Sequence, residues 1–221
     1  MTVAQIFTLS RFITNTNGTT ASDANLLRSL SERQKQMVVR LANLLENYSL
    51  VKAGANLLAS TENIDTLATD IIKFKRAEVQ WTSGGTWYPV TFYDINESSE
   101  TNDVTNINNI NSTTSPFAFL NGTAVQMRPI PSVTSISGFQ YWYVQMPGDL
   151  TSTSYSPSTP AEYHRLLADL VAIDIRLMKG ELNPVTALQE EKLIWEYLKN
   201  QVSPRVSGQN LVAKPAYENY E

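Results

Sequence analysis

The stretch Thr-Ala-Val-Gln-Met-Arg-Pro-Ile-Pro at residues 123–131 is followed by a Ser/Thr/Gly loop. Then come Phe-Gln-Tyr-Trp-Tyr-Val-Gln-Met-Pro-Gly-Asp-Leu at 139–150 and Ser-Pro-Ser-Thr-Pro-Ala-Glu-Tyr-His-Arg-Leu-Leu at 156–167. Read physically, this is strand, loop, strand, linker and helix. Val125 and Met127 alternate with Gln126 and Arg128, the period of a half-buried strand. Pro129 and Pro131 end it, because a proline has no N–H to give to a ladder. Phe139 to Met146 is aromatic and β-branched and reads as the partner strand, with Gly138 allowing the chain to turn before it. Thr159, Pro160 and Glu162 form a helix-start signal: a capping hydroxyl, a proline in the first turn, and a glutamate three residues after the cap.

The helices around this core follow from spacing. Residues 3–13 form a short helix with Val3, Ile6, Phe7 and Ile13 leaning to one side. Ser22 is expected to cap a long helix from Asp23 to about Asn47, with Leu26, Leu27, Leu30, Met37, Val38, Leu41, Leu44, Leu45 and Tyr48 at helical intervals, interrupted at Gln34. Past Pro160, Tyr163, Leu166, Leu167, Leu170, Val171, Leu177 and Met178 share a face until Gly180 stops the helix. Asn183-Pro184 opens the last helix, with Val185, Leu188, Trp195, Leu198 and Val202 expected on its apolar side, and Pro204 is expected to close it.

Between the helical segments, Val51 to Ser60 reads as extended or as a frayed helix end, and Ile64 to Ile72 as a short helical turn. Ile72-Lys73-Phe74-Lys75 alternates and starts a strand. Thr82-Ser83-Gly84-Gly85 turns the chain, and Thr86 to Ile95 returns, with Trp81 and Trp87 expected to meet across the pair. Phe117 to Leu120 resumes the sheet, and Asn121-Gly122 turns it into the opening stretch. The expected fold class is α+β: a helical bundle with an inserted antiparallel β-sheet domain of four to six strands and an extended C-terminal arm. The divisions are N-terminal helices over 1–50, the β domain over 51–150 with a polar loop at 96–115, C-terminal helices over 151–202, and the arm over 203–221. The polar loop is nearly all Asn, Ser, Thr and acid, too little apolar surface to offset its ordering entropy.

Composition narrows the function. Of the 221 residues 42% are apolar, enough for a real core, and there is no cysteine, which excludes disulfides and thiolate metal sites. The formal net charge is −4, and no segment of the sequence is a basic patch, so a grip on nucleic acid through phosphate neutralisation is not expected. No apolar run approaches a membrane span, and Arg11 interrupts any signal-peptide core. The one histidine, His164, has no partner for nucleophilic catalysis and reads as a structural or surface residue. Ser83-Gly84-Gly85 lacks the lysine of a phosphate loop, and Asp103 with its Asn neighbours does not have calcium-loop spacing. Asp174 is a carboxylate on an apolar helix face, expected in an intersubunit or buried ion pair, with Arg165 or Arg176 as candidate partners. No catalytic residue, cofactor or metal is expected. The tail holds Arg205, Val206, Leu211, Val212, Tyr217 and Tyr220, apolar or aromatic anchors in a polar segment, suited to lying along another surface.

Three pieces together resemble the head-to-tail adaptor (connector) proteins of tailed bacteriophages: Arg128-Pro129-Ile130-Pro131 at a strand end, Tyr143 to Leu150 as a Tyr-x-x-x-Pro-x-x-Leu element, and Pro160-Ala161-Glu162-Tyr163-His164 at a helix start. The resemblance spans roughly residues 1–202, outside the polar insert. It implies a structural virion protein of the neck, not an enzyme, assembled in the host cytoplasm as a homo-oligomeric ring of about twelve copies. Its implied partners are the portal protein above and a tail, nozzle or stopper protein below. Genomic DNA would pass through the channel without sequence-specific binding, and no membrane is involved. The tail residues named above would meet the portal or a neighbouring subunit. A stopper or tail-completion protein is the alternative, and a hydrolase using Asp174 or His164 a more distant one.

Overall fold

The computed structural model describes residues 1–45, 48–64, 67–93, 112–121 and 124–212, with backbone alone for 203–212. The chain divides into two compact units, Met1–Tyr48 with Met146–Glu221, and Ser49–Gln145. The fold is α+β, with helices and a mixed sheet.

The first unit holds α1 (Val3–Ile13), α2 (Asp23–Leu44), α3 (His164–Met178) and α4 (Pro184–Val212). Thr2 and Gln5 form a reciprocal capping box that starts α1. Val3, Ile6 and Phe7 are buried as expected, but Ile13 is exposed and Ser10 takes the inward position instead. The Ser10 hydroxyl lies 2.9 Å from the Ala168 carbonyl of α3, so α1 packs through a polar contact that an apolar periodicity cannot register. One core joins Ile6 and Phe7 to Leu26, Leu30, Met37 and Leu41 of α2, Leu167, Leu170 and Val171 of α3, and Trp195, Leu198 and Val202 of α4. Each fully buried leucine or phenylalanine contributes roughly 1.5–3 kcal/mol.

Gln34, the interruption in α2, is buried. Its side-chain oxygen accepts from the Ser158 N–H at 3.1 Å, and one turn earlier Ser31 accepts from the Leu150 N–H at 2.9 Å. These two polar residues stitch the 146–159 linker to α2 by accepting from two of its backbone N–H groups.

The helix start at Pro160 takes a different form from the expected cap. The Thr159 side chain does not cap; Ala161–Tyr163 form a 3₁₀ turn, and α3 begins at His164. The reason is His164 itself: it is buried, its Nε2 sits 2.8 Å from the Thr159 carbonyl, and that contact tightens the turn. At the other end Gly180, at φ +70, closes α3, with Gly180 N–H donating to the Leu177 carbonyl and Glu181 N–H to the Arg176 carbonyl. Asn183 caps α4 by accepting from the Thr186 N–H at 2.9 Å. Pro204 does not stop α4, which is helical to Val212. Proline deletes one backbone bond, to the carbonyl four residues earlier, and a long helix tolerates that single loss, so residues 203–212 of the expected extended arm are helical.

The second unit is a seven-stranded sheet: β1 (Leu50–Leu57), β2 (Asn63–Ile64), β3 (Ile71–Val79), β4 (Tyr88–Tyr93), β5 (Phe117–Asn121), β6 (Ala124–Arg128) and β7 (Ser135–Gln145). The order is β1-β7-β3-β4-β5-β6-β2. Two expectations are corrected here. The sheet is larger than four to six strands, and it is mixed, because β4 and β5 pair in parallel. Consecutive strands can pair in parallel only through a long connection, and the polar segment after Tyr93 supplies the length. Most of that segment, 94–111, lies outside the described residues, as do 213–221.

Val51 to Leu57 resolves as strand, and Asn63–Ile64 as strand where a helical turn was expected. The β3–β4 hairpin forms through Gly84 at φ +77. Trp81 and Trp87 lie in its loop rather than in the strands, and the Trp81 indole donates to the Thr113 carbonyl at 2.6 Å. Gly138 is not before β7 but inside it. A methyl group there would lie 2.6 Å from Ser135 Cβ and 2.7 Å from the Gln80 carbonyl, so the position is glycine for close approach. One face of the sheet carries the core, where Phe139, Tyr141 and Tyr143 of β7 form a ring ladder joined by Phe74 and Phe92.

Candidate functional site

Asp174 sits at the joint of three helices in the first unit. Its carboxylate accepts from Arg33 of α2 through two bonds, 3.0 Å from Nε and 2.6 Å from Nη2, and from the Ser29 hydroxyl at 2.5 Å. Arg33 reaches on to Glu191 of α4 at 3.0 Å. The second oxygen of Glu191 accepts from the Trp195 indole at 2.9 Å, and the Arg40 guanidinium stacks over that indole at 4.3 Å. The result is a continuous polar seam from α3 through α2 to α4. Burial opposes the charge on Arg33, but the carboxylates of Asp174 and Glu191 outweigh it and raise the guanidinium pKa above its ordinary value.

Arg165 and Arg176 pair elsewhere, with Asp169 at 3.3 Å and Glu190 at 2.7 Å. Arg33, the partner that Asp174 does take, lies 141 positions away in the chain, and nothing in local spacing points to it. Arg33 also sits one place before the interruption at Gln34, so the polar break in α2 marks the turn where the helix meets the rest of the unit.

This seam has no catalytic form. Arginine stays protonated and is no base, and both carboxylates are held by donors, Asp174 by Arg33 and Ser29 and Glu191 by Arg33 and Trp195. His164 does not come near it: Nε2 faces Thr159, and Nδ1 lies 2.8 Å from the Met1 amino group. Among the described residues no group of three or more His, Cys, Asp or Glu could hold a metal ion. No described helix is long and apolar enough to cross a membrane.

α4 carries apolar residues on two sides. Ala187, Trp195, Leu198 and Val202 face the core, while Val185, Leu193 and Tyr197 share an exposed i, i+4 row with Leu188 beside it. Each of the last four is more than half exposed, Val185 and Leu193 at 66%. Aliphatic side chains gathered in water along one helix are a contact surface in waiting. Of the tail residues expected to bind a partner, Arg205, Val206, Leu211 and Val212 fall on the last turns of α4. Tyr217 and Tyr220 lie outside the described residues.

No curated protein sequence matches the chain. The family model of the SU10 adaptor protein matches residues 1–193, which takes in α1 to α3, the whole sheet and the first turns of α4. The chain therefore belongs to the SU10 adaptor protein family, a family of phage head-to-tail adaptors and structural components of the virion neck.

Proposed function

We propose that this protein assembles as a ring of about twelve copies beneath the portal, lengthens the DNA channel and presents the platform on which the tail attaches. The observation that carries this reading is the family match across residues 1–193, joined to a last helix that runs ten positions past Val202, its last described core residue. A helix that continues to Val212 has the length to reach another chain. Residues 203–221 are assigned to the portal, with Arg205, Val206, Leu211, Val212, Tyr217 and Tyr220 as its anchors. The exposed row of Val185, Leu193 and Tyr197 is assigned to the neighbouring subunit, since heterologous ring contacts need an apolar patch on each copy. Host-cytoplasmic assembly suits the cysteine-free sequence.

Native mass measurement with negative-stain imaging tests the ring. A closed ring with a central channel, alone or on mixing with the cognate portal, is expected. A protein that stays monomeric with the portal present overturns the reading. Deletion of 203–221 is expected to abolish portal binding; unchanged binding removes the role given to that segment.

A further inference from the structure

The sequence holds no basic run, yet the sheet builds a cationic surface from separate strands. On the face of β1-β7-β3 opposite the aromatic core, Lys52 pairs in register with Trp142, and Trp142 pairs in turn with Arg76. The Lys52 ammonium lies 5.0 Å from the centre of the Trp142 ring and the Arg76 guanidinium 4.0 Å. Lys73 faces Val144, two positions further along β7 on the same side. Arg76 reaches this face because of a bulge: the β3–β7 register slips between Phe74 and Arg76, so Phe74 points into the core and Arg76 points out. Strict alternation from Lys73 would have turned Arg76 inward.

The charges are poorly compensated. Lys52 and Lys73 have no carboxylate within ion-pair distance among the described residues. Arg76 shares Glu78, which is also bonded to Gln140 at 2.5 Å. Two cations held against one indole repel each other, and a bound anion relieves that. The indole is covered by cations, so it orients them and is not a stacking platform for bases. Lys52 and Arg76 stand two strand spacings apart, about 9–10 Å, and Lys73 lies about 10 Å further along β3. One carboxylate can satisfy one such site, whereas a polyanion satisfies all three at once.

We propose that this face, at Lys52, Arg76 and Lys73 around Trp142, contacts the phosphate backbone of duplex DNA without reading its sequence. The inference rests on the reading of the protein as a DNA-channel component and adds the surface that meets the DNA. Three point charges per copy give a weak, salt-labile contact, which guides a moving duplex without holding it.

The test is fluorescence anisotropy of the full-length protein with a labelled duplex, titrated with salt from about 25 to about 200 mM. Binding is expected at low salt, equally for duplexes of two unrelated sequences. The double variant Lys52→Gln, Arg76→Gln is expected to flatten the slope of log K against log salt by about 1.8, two phosphates at about 0.9 each. Lys52→Arg should keep the slope, and Lys192→Gln with Lys199→Gln on α4 should not change it. Thermal melting of each variant separates lost contact from lost fold. No binding by the parent protein, or an unchanged slope in a folded double variant, overturns the proposal. So does a double variant that keeps DNA binding and loses subunit or portal association, since the face is then a protein contact. The oligomeric state of each sample is measured in parallel. A ring whose DNA binding ignores Lys52 and Arg76 sinks this inference alone; Lys52- and Arg76-dependent binding by a protein that never forms a ring sinks the ring alone.

Discussion

Replacing Arg33 with methionine should be among the costliest single changes in the helical unit. Methionine keeps most of the arginine stem in place, so little of the effect comes from lost packing. What disappears is the cation between Asp174 and Glu191, whose side chains are only 19% and 20% exposed. Two carboxylates are then left facing each other with the Ser29 hydroxyl and the Trp195 indole as their donors. Removing one partner of a fully buried pair costs about 3–5 kcal/mol. Partial exposure lets water reach both acids, which places the expected loss near the lower end, about 3 kcal/mol. For a chain of this length that is a drop of about 6–12 °C in Tm. Urea unfolding followed by circular dichroism and by calorimetry measures it. A second arm uses Asp174→Asn and the double variant, in which the coupling between the two sites is expected at about 1–3 kcal/mol. If Arg33→Met costs under about 1 kcal/mol, or the coupling vanishes, the seam is not what joins α2, α3 and α4.

The remaining predictions touch other parts of the chain. Gly138→Ala should destabilise the sheet unit by about 2–3 kcal/mol, because a methyl group meets Ser135 Cβ and the Gln80 carbonyl at under 3 Å; equilibrium unfolding that matches the parent would contradict the close approach. Burial, with a smaller push from Tyr163, raises the Tyr48 hydroxyl to about 12, while the unfolded chain ionises near its ordinary value of 10.0. The unfolded state therefore loses its proton first, so stability present below pH 10 falls as pH rises toward 12; Tyr48→Phe should flatten that alkaline limb by about 1 kcal/mol, discounted for the residue's contact with water. Leu193→Glu, at an exposed site, should leave the Tm within about 1–2 °C of the parent while weakening ring assembly; an intact ring would reassign that face of α4.

The legible part of this fold is the part governed by local chemistry. The helix start at Asn183, the stop at Gly180 and the turn at Gly84 follow from what those residues permit in the backbone, whereas the caps expected at Ser22 and Thr159 make no side-chain bond to their helices. The two strands either side of Arg128 to Ser135 are bounded by the prolines and read from alternation, but they are not partners as expected: β6 lies between β5 and β2, and β7 between β1 and β3. What escaped is non-local. Parallel pairing of β4 with β5 depends on where a long polar connection brings the chain back, and no residue in either strand encodes it. His164 read as a lone histidine in a first helical turn, yet its ring sets where α3 begins. Gln34 read as a gap in an apolar stripe, yet it is one of the residues that fix the 146–159 linker. A polar residue at a core position was the available signal, since such a residue must find a partner or cost several kcal/mol (about 1–3 per group).

Charge is where local reading and assembled structure diverge furthest. By sequence the cations are evenly spread and outnumbered, which argued against a grip on nucleic acid through phosphate neutralisation. Once folded, many of the helical unit's cations are consumed internally: Arg11 by Asp23, Arg33 by Asp174 and Glu191, Lys35 by Asp149, Arg176 by Glu190. In the sheet unit Lys52 and Lys73 have no such partner among the described residues, and four of its acids, Asp94, Glu97, Glu100 and Asp103, fall in the segment after β4. A net charge averages these two situations and describes neither. A nearly neutral helical surface suits tight apolar contact between copies, because comparatively little unpaired charge has to be desolvated. A sheet face with uncompensated cations stays hydrated and suits a partner that moves. Family membership makes the protein an adaptor, and under the proposed function this separation of charge would give the two jobs proposed for it, holding its neighbours and letting DNA pass, to different units of one chain.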